Sequence, residues 1–362
     1  MLYWLLVPLR EQFFFFNVFR YITVRTGLAG LTALLLSLLL GGWFIRTLKK
    51  HQIGQEIRTE GPQSHHVKKG TPSMGGILII GSTLVTSLLW GNLSNSYVRL
   101  AMATMLVFGL IGLLDDTLKF RRRRSLGLRV FTKLGLQIVL AAAIGVYLVH
   151  LGLHEQFSLR LYPPFFKAWQ PYLGWFYLPW IMFILVGSSN AVNLADGLDG
   201  LAIGLTLISA TALTALTYVA GHTLWSQYLG IAKVQAAAEL TVFAGALTGS
   251  CLGFLWWNAH PAQVFMGDVG ALSLGASLAV ITVLIKQELL LFPLAGVFIL
   301  EALSVLLQVS YFKITGGRRL FKMAPLHHHF ELSGWPEERI VIRFWIVGIV
   351  FALFTLATLK LR

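Results

Sequence analysis

The sequence predicts an all-α integral membrane protein, a bundle of about ten transmembrane helices, and three observations carry that prediction. Hydrophobic residues make up 56% of the 362 positions and charged residues only 12%, with a mean hydropathy of +0.72, so polar side chains are too few to coat a soluble globule of this length. The apolar runs recur at about twenty residues, the length a helix needs to cross the hydrocarbon of a bilayer. Strand-like alternation is absent, which argues against a barrel. The spans are expected at 22–45, 73–91, 97–115, 130–150, 172–190, 200–220, 238–257, 268–286, 290–312 and 340–360.

Before the first span, residues 1–21 lack the small-residue cleavage site of a secretory signal, and the aromatic run Phe13 to Phe16 reads as an interfacial N-terminal segment. No solenoid repeat or dividing linker is visible, so residues 1–362 are read as a single polytopic domain with the ten-helix core at 22–362. Cys251, the one cysteine, sits within an apolar run and reads as a small core residue, which excludes a disulfide framework or a cysteine metal site.

The formal charge of +14 comes from basic residues that flank the spans and build no soluble basic domain. Anionic lipid and topology account for them, and nucleic acid is not an expected partner. Alternating the loops places 46–71, 115–133, 190–199, 257–267 and 313–339 on one side, and that side holds Arg46, Lys49, Lys50, Lys119, Arg121 to Arg124, Lys133, Arg318, Arg319 and Lys322. By the positive-inside rule it is cytoplasmic, which leaves both termini extracytoplasmic. The chain's only aspartates, Asp115, Asp116, Asp196, Asp199 and Asp268, all fall at cytoplasmic helix ends, whereas the glutamates show no such bias.

Four cytoplasmic stretches and one basic loop carry the chemistry. In Gly187 to Gly204, Asp196 and Asp199 lie between two apolar runs with no Lys or Arg to compensate them, and Asp199 falls near the N-terminus of the next helix. Such a loop suits a cation-bound phosphate or nucleotide, although a capped turn between two spans accounts for it equally. The pair Asp115-Asp116 emerges from a span just before the Arg121 to Arg124 run. Adjacent helical positions point about 100° apart, so one acid suits a base or substrate contact and the other a metal; charge balance against the arginines is the plainer account. Asp268 closes Asn258 to Asp268, where Pro261 and Gly267 break the helix, Asp268 can cap the following one, and Phe265 offers a ring for a base to stack on. His327, His328 and His329, between Pro325 and Phe330, read as phosphate donors or as solvated surface histidines. Lys68 to Gly76 joins a basic loop to the second span, and its glycines and amides can approach a phosphate without the Gly-Lys-Ser/Thr order of a Walker loop.

Together these groups fit Mg2+-assisted phosphoryl transfer between a soluble nucleotide and a lipid phosphate. A transporter of lipid-linked substrates is the alternative from another class, but its acids belong near the midplane. Only Glu301 lies deep in a span, and it is expected to bond to a neighbouring helix, for instance through Gln308.

The stretches Lys68 to Gly76, Asp115-Asp116, Asn190 to Gly200, Pro261 to Asp268 and Ala324 to Phe330 give the chain an end-to-end resemblance to the phospho-N-acetylmuramoyl-pentapeptide transferase family, within the wider polyprenyl-phosphate N-acetylhexosamine-1-phosphate transferase superfamily. Ser73 and Ala195 stand where threonine is expected. The histidine run favours this branch over a UDP-N-acetylglucosamine-1-phosphate transferase, the alternative within the enzyme class. The resemblance implies an enzyme of the bacterial inner membrane, working as a homodimer with its site facing the cytoplasm. Its substrates would be UDP-N-acetylmuramoyl-pentapeptide and undecaprenyl phosphate, its products lipid I and UMP, and its cofactor Mg2+. It also implies that Asp268 is the direct metal ligand and that Asp115, with Asp116 beside it, activates the lipid phosphate. Lys68, Thr71, Asn190, Asn193, Asp196, Asp199, Asn258 and Phe265 would bind the donor, while His327, His328 and His329 would handle its diphosphate or sugar, the first two as catalytic groups.

Overall fold

Backbone in hydrocarbon must satisfy its own N–H and C=O groups, so each long apolar run folds as a helix. The computed structural model describes residues 2–51, 70–122, 127–166 and 169–361; Lys68, Lys69, Arg123 and Arg124 lie outside the described residues. The principal helices are α1 Ile22–Lys50, α2 Gly76–Trp90, α3 Ser96–Arg122, α4 Val130–Leu153, α5 Tyr177–Ala195, α6 Leu201–Gly221, α7 Ala237–Asn258, α8 Gly267–Leu284, α9 Gly296–Ile314, α10 Leu326–Glu331 and α11 Glu337–Thr358. Among the described residues no strand forms, and an isolated antiparallel bridge pairs Arg160 with Tyr172.

Among the described residues nine helices are long and apolar enough to cross a membrane, against the ten expected. The tenth candidate, α2, has 15 residues and reaches only about 22 Å, less than the ~30 Å of hydrocarbon. Its expected first turn is instead irregular, with Met74 at φ +70°, and bonded elsewhere: Phe265 N–H donates to Pro72 O, Gly75 N–H to Phe265 O and Gly76 N–H to Met266 O, each at 2.8 Å. Other boundaries move as well, α1 running on to Lys50 and α5 to Ala195. Helix α3 runs on past 115 to Arg122, so Asp115 and Asp116 lie inside it, one turn before Lys119. The expected span from 290 begins only at Gly296, after a short helix Leu291–Leu294 in which Pro293 has no N–H to continue a regular ladder.

The core is centred on α8, nearly every residue of which is buried against α2, α3, α5 and α6. Small and hydroxylated side chains let these helices approach, as where Ser188 Oγ donates to Gly275 O at 2.8 Å. At the far end, Arg25 makes a two-pronged ion pair with Glu239 at 2.7 and 2.8 Å. The outer faces of α1 and α11 present Leu35, Leu39, Ile346, Val350 and Leu353, apolar surface suited to lipid tails. Cys251 is fully buried, as its surroundings in sequence imply.

Candidate active site

Antiparallel succession brings the C-termini of α3, α5 and α7 and the N-termini of α4, α6 and α8 to one end of the bundle. There Asp115, Asp116 and Asp268 each turn a carboxylate oxygen to within 4.8 Å of the others. Asp115 and Asp116 are buried and Asp268 is half-buried. Like charges at this spacing need cations, and two lysines supply them. Lys119 Nζ lies 2.7 Å from Asp115, 3.2 Å from Asp116 and 2.8 Å from Asp268, and Lys133 Nζ lies 2.7 Å from Asp268. Backbone and amide donors fix the remaining oxygens. Leu128 N–H donates to Asp115 Oδ1 at 2.7 Å, Val269 N–H to Asp116 Oδ2 at 3.1 Å and Asn193 Nδ2 to Asp268 Oδ1 at 2.7 Å.

The sequence shapes this knot locally. Gly267 holds φ +71°, and a Cβ there would collide with the Asp116 carboxylate, so the turn into α8 both needs a left-handed residue and has no room for a side chain. Asp268 therefore sits in the first turn of α8 without capping it, contrary to the expectation from the Pro261 and Gly267 breaks, because its oxygens are taken by Asn193 and the two lysines. Nor do the two adjacent acids of α3 part ways as their 100° separation suggests, since Lys119, one turn on, reaches both.

Asp196 ends α5 and is half-buried. Burial, then the charges of Asp268, Asp116 and Asp199, push its carboxyl up to about 8, which ties it electrically to the same cluster. Asp199 is buried and turned away from the three-aspartate knot. Its Oδ2 accepts from Ala262 N–H at 3.0 Å and meets His260 Nδ1 at 3.1 Å, while its own N–H donates to Glu337 at 2.7 Å. With His260 and Glu337 it makes a second group of possible metal ligands. Asn258, rather than Asp199, caps the entry to α6, its Oδ1 accepting from Gly200 N–H at 3.1 Å. Phe265 is half-buried beside the extended segment that carries Thr71, also half-buried. Asn190 donates to Gln137 Oε1 at 2.6 Å, one turn below Asn193.

The three histidines separate. His327 is fully buried, with its backbone N–H and Nδ1 each 3.2 Å from the Glu301 carboxylate. His328 Nδ1 meets Glu331 at 2.8 Å, and His329 Nδ1 accepts from Lys322 N–H at 3.2 Å. Gln308 does not serve Glu301 as expected; its Oε1 caps the chain at Leu320 and Phe321, at 3.1 and 2.8 Å. Helix α10 lifts His327 onto Glu301, and that contact could not be read from spacing along α9. Lys119 and Lys133 are the functional groups that topology counting absorbed. The first is legible as the i+4 and i+3 partner of Asp115 and Asp116; the second has no local signal, lying 135 positions from Asp268.

Three carboxylates offering hard oxygen ligands, neutralised by lysines and set at the water-facing end of an apolar bundle, suit a cation and a phosphate rather than a soft metal. Such a site on such a fold defines a polytopic transferase of phosphorylated sugars, and the sequence profile of glycosyl transferase family 4 matches residues 98–286. The phospho-N-acetylmuramoyl-pentapeptide-transferase signature 1 matches residues 68–80. Phospho-N-acetylmuramoyl-pentapeptide-transferases from Koribacter versatilis, Desulfatibacillum aliphaticivorans and Oleidesulfovibrio alaskensis are 52%, 52% and 53% identical to the chain, with 100% of both chains covered in each case. The chain belongs to the phospho-N-acetylmuramoyl-pentapeptide-transferase family.

Proposed function

We propose that the protein transfers phospho-N-acetylmuramoyl-pentapeptide from UDP-N-acetylmuramoyl-pentapeptide to undecaprenyl phosphate at the cytoplasmic face of the bacterial inner membrane, forming lipid I and UMP. The observation that carries this reading is the meeting of Asp115, Asp116 and Asp268 with Lys119 and Lys133 at one end of the bundle. The donor set fits Mg2+, with Asp268 as a direct ligand and Asp115 and Asp116 within reach of the same ion. When bound, the ion supplies charge neutralisation for the diphosphate.

The chain's own groups do the rest. Asp115, steadied by Leu128 N–H, takes any proton left on the acceptor phosphate. An oxygen of that phosphate then bonds to the sugar-bearing phosphorus as the bond to the UMP oxygen breaks. Lys119 and Lys133 stand where non-bridging phosphate oxygens gain charge, and Lys68, outside the described residues, belongs to the donor-binding set by the family resemblance. Phe265 stacks on uracil, while Thr71, Asn190, Asn193, Asp196, Asp199 and Asn258 shape the donor pocket. His328 and His329 face the sugar and diphosphate. Homodimerisation in the bilayer belongs to the same reading.

Purified protein incubated with Mg2+ and undecaprenyl phosphate should release UMP from UDP-N-acetylmuramoyl-pentapeptide and not from UDP-N-acetylglucosamine. UMP from the second sugar alone would move the chain to the N-acetylglucosamine branch. A transporter gains little support, because Glu301, the acid deepest in a span, is enclosed and bonded to His327.

A further inference from the structure

Glu301 and His327 are both fully buried, and both oxygens of the carboxylate are used on one residue: Oε1 accepts the His327 backbone N–H and Oε2 faces Nδ1, each at 3.2 Å. Two contacts from one carboxylate, to the backbone and to the ring of the same residue, hold the imidazole in one orientation. Its other nitrogen, Nε2, is buried without a hydrogen-bond partner. It abuts Gly197, where an added Cβ would overlap the ring at Nε2 first. Gly197 lies between Asp196 and Asp199, in the turn joining α5 to α6. Other contacts grip the Asp199–Gly200 end of the same turn, among them Glu337 at Asp199 N–H (2.7 Å), Ala262 N–H at Asp199 Oδ2 (3.0 Å), Asn258 at Gly200 N–H (3.1 Å) and Trp345 Nε1 at Gly200 O (3.2 Å). The imidazole supports the turn at Gly197, and it touches the turn rather than the open cluster.

We propose that Glu301, acting through His327, is a positioning residue for the donor nucleotide: the pair sets the height of the Asp196–Asp199 turn. This rests on the reading of that turn as part of the donor pocket. The pair serves binding geometry, and His327 does not touch the reacting atoms. A polar contact enclosed at this depth is costly to break from one side, because the group left behind is buried without a partner, so its loss frees the whole loop-and-α10 contact.

The test uses full-length protein in detergent with Mg2+ and UDP as the probe. In protein carrying ¹⁵N-histidine, a slowly exchanging Nδ1–H resonance is expected, assigned by its loss in His327→Asn. Glu301→Gln should shift or remove that resonance and weaken UDP binding by about tenfold, equal to about 1.4 kcal/mol. The KM for the UDP-sugar should rise in step, with kcat within about threefold of wild type. Gly197→Ala, which leaves Glu301 in place, should weaken UDP comparably and guards against a Glu301 variant that does not fold. Unchanged UDP affinity in either folded variant overturns the proposal. So does a fall in kcat at unchanged KM, which would put His327 on the reacting atoms. Failure of the underlying reading shows differently, as a wild type that neither binds UDP nor releases UMP.

Discussion

Replacing Lys119 with methionine removes the cation shared by three carboxylates while keeping most of the side chain's volume. At an effective dielectric constant near 20, one ammonium about 3 Å from a carboxylate gains roughly 5 kcal/mol, and Lys119 has three such neighbours at 2.7, 2.8 and 3.2 Å. Desolvation and the one-third exposure of the lysine cancel most of that gain, and unpairing a buried ion from one side leaves a net loss of about 2–4 kcal/mol. At about 2–4 °C per kcal/mol, the slope of a domain of roughly 150–250 residues, the apparent midpoint of thermal unfolding in detergent should fall by roughly 4–16 °C, toward the lower end for a longer chain. Mg2+ competes for the same oxygens, so it should restore most of the loss in Lys119→Met and raise the wild-type midpoint less. Scanning fluorimetry with EDTA and then with a Mg2+ series reads both effects. An unchanged midpoint would show that Lys119 does not neutralise the cluster, and equal Mg2+ shifts in both proteins would refute the idea that lysine and metal share these carboxylates.

Asp115→Asn, Asp116→Asn and Asp268→Asn should each lower UMP release by about 10³-fold or more, some 4 kcal/mol of barrier, with the fold intact by circular dichroism; near-normal turnover in Asp268→Asn would remove its metal role. Phe265→Ala should weaken uridine nucleotides by roughly 5- to 150-fold, from the ~1–3 kcal/mol of one stacked base, and equal affinity by calorimetry would discard the stack. The folded-state value of Asp196, about 8, lies above the ordinary carboxylate range. The stability this group contributes is therefore whole in acid, declines as pH rises from about 4, and is gone once pH passes through about 8. Metal-free Asp196→Asn should then lose less stability between pH 6 and 8 than wild type, and identical slopes would contradict that.

The helical class and most span positions were legible because hydropathy at a period near twenty residues is a strong, local signal. The aspartate bias was legible too, since counting which helix ends carry Asp needs only the order of spans. What escaped depends on distant pairing. Helix α2 is short because residues 72–76 bond to residues 265–266, a contact without trace in either stretch. Nor do three consecutive histidines disclose their separate partners, Glu301, Glu331 and Lys322, which a single turn of α10 assigns to them. Lys133 looked like an interfacial anchor, and only the approach of α4 to α8 makes it a partner of Asp268.

The most enclosed helix of the bundle, α8, is also among the last to leave the ribosome. Asp115, Asp116 and Lys119 come from one earlier helix, and Asp268 reaches them only through the first turn of α8. Seating α8 against Ser188 and its neighbours and completing the reactive corner are therefore a single packing step.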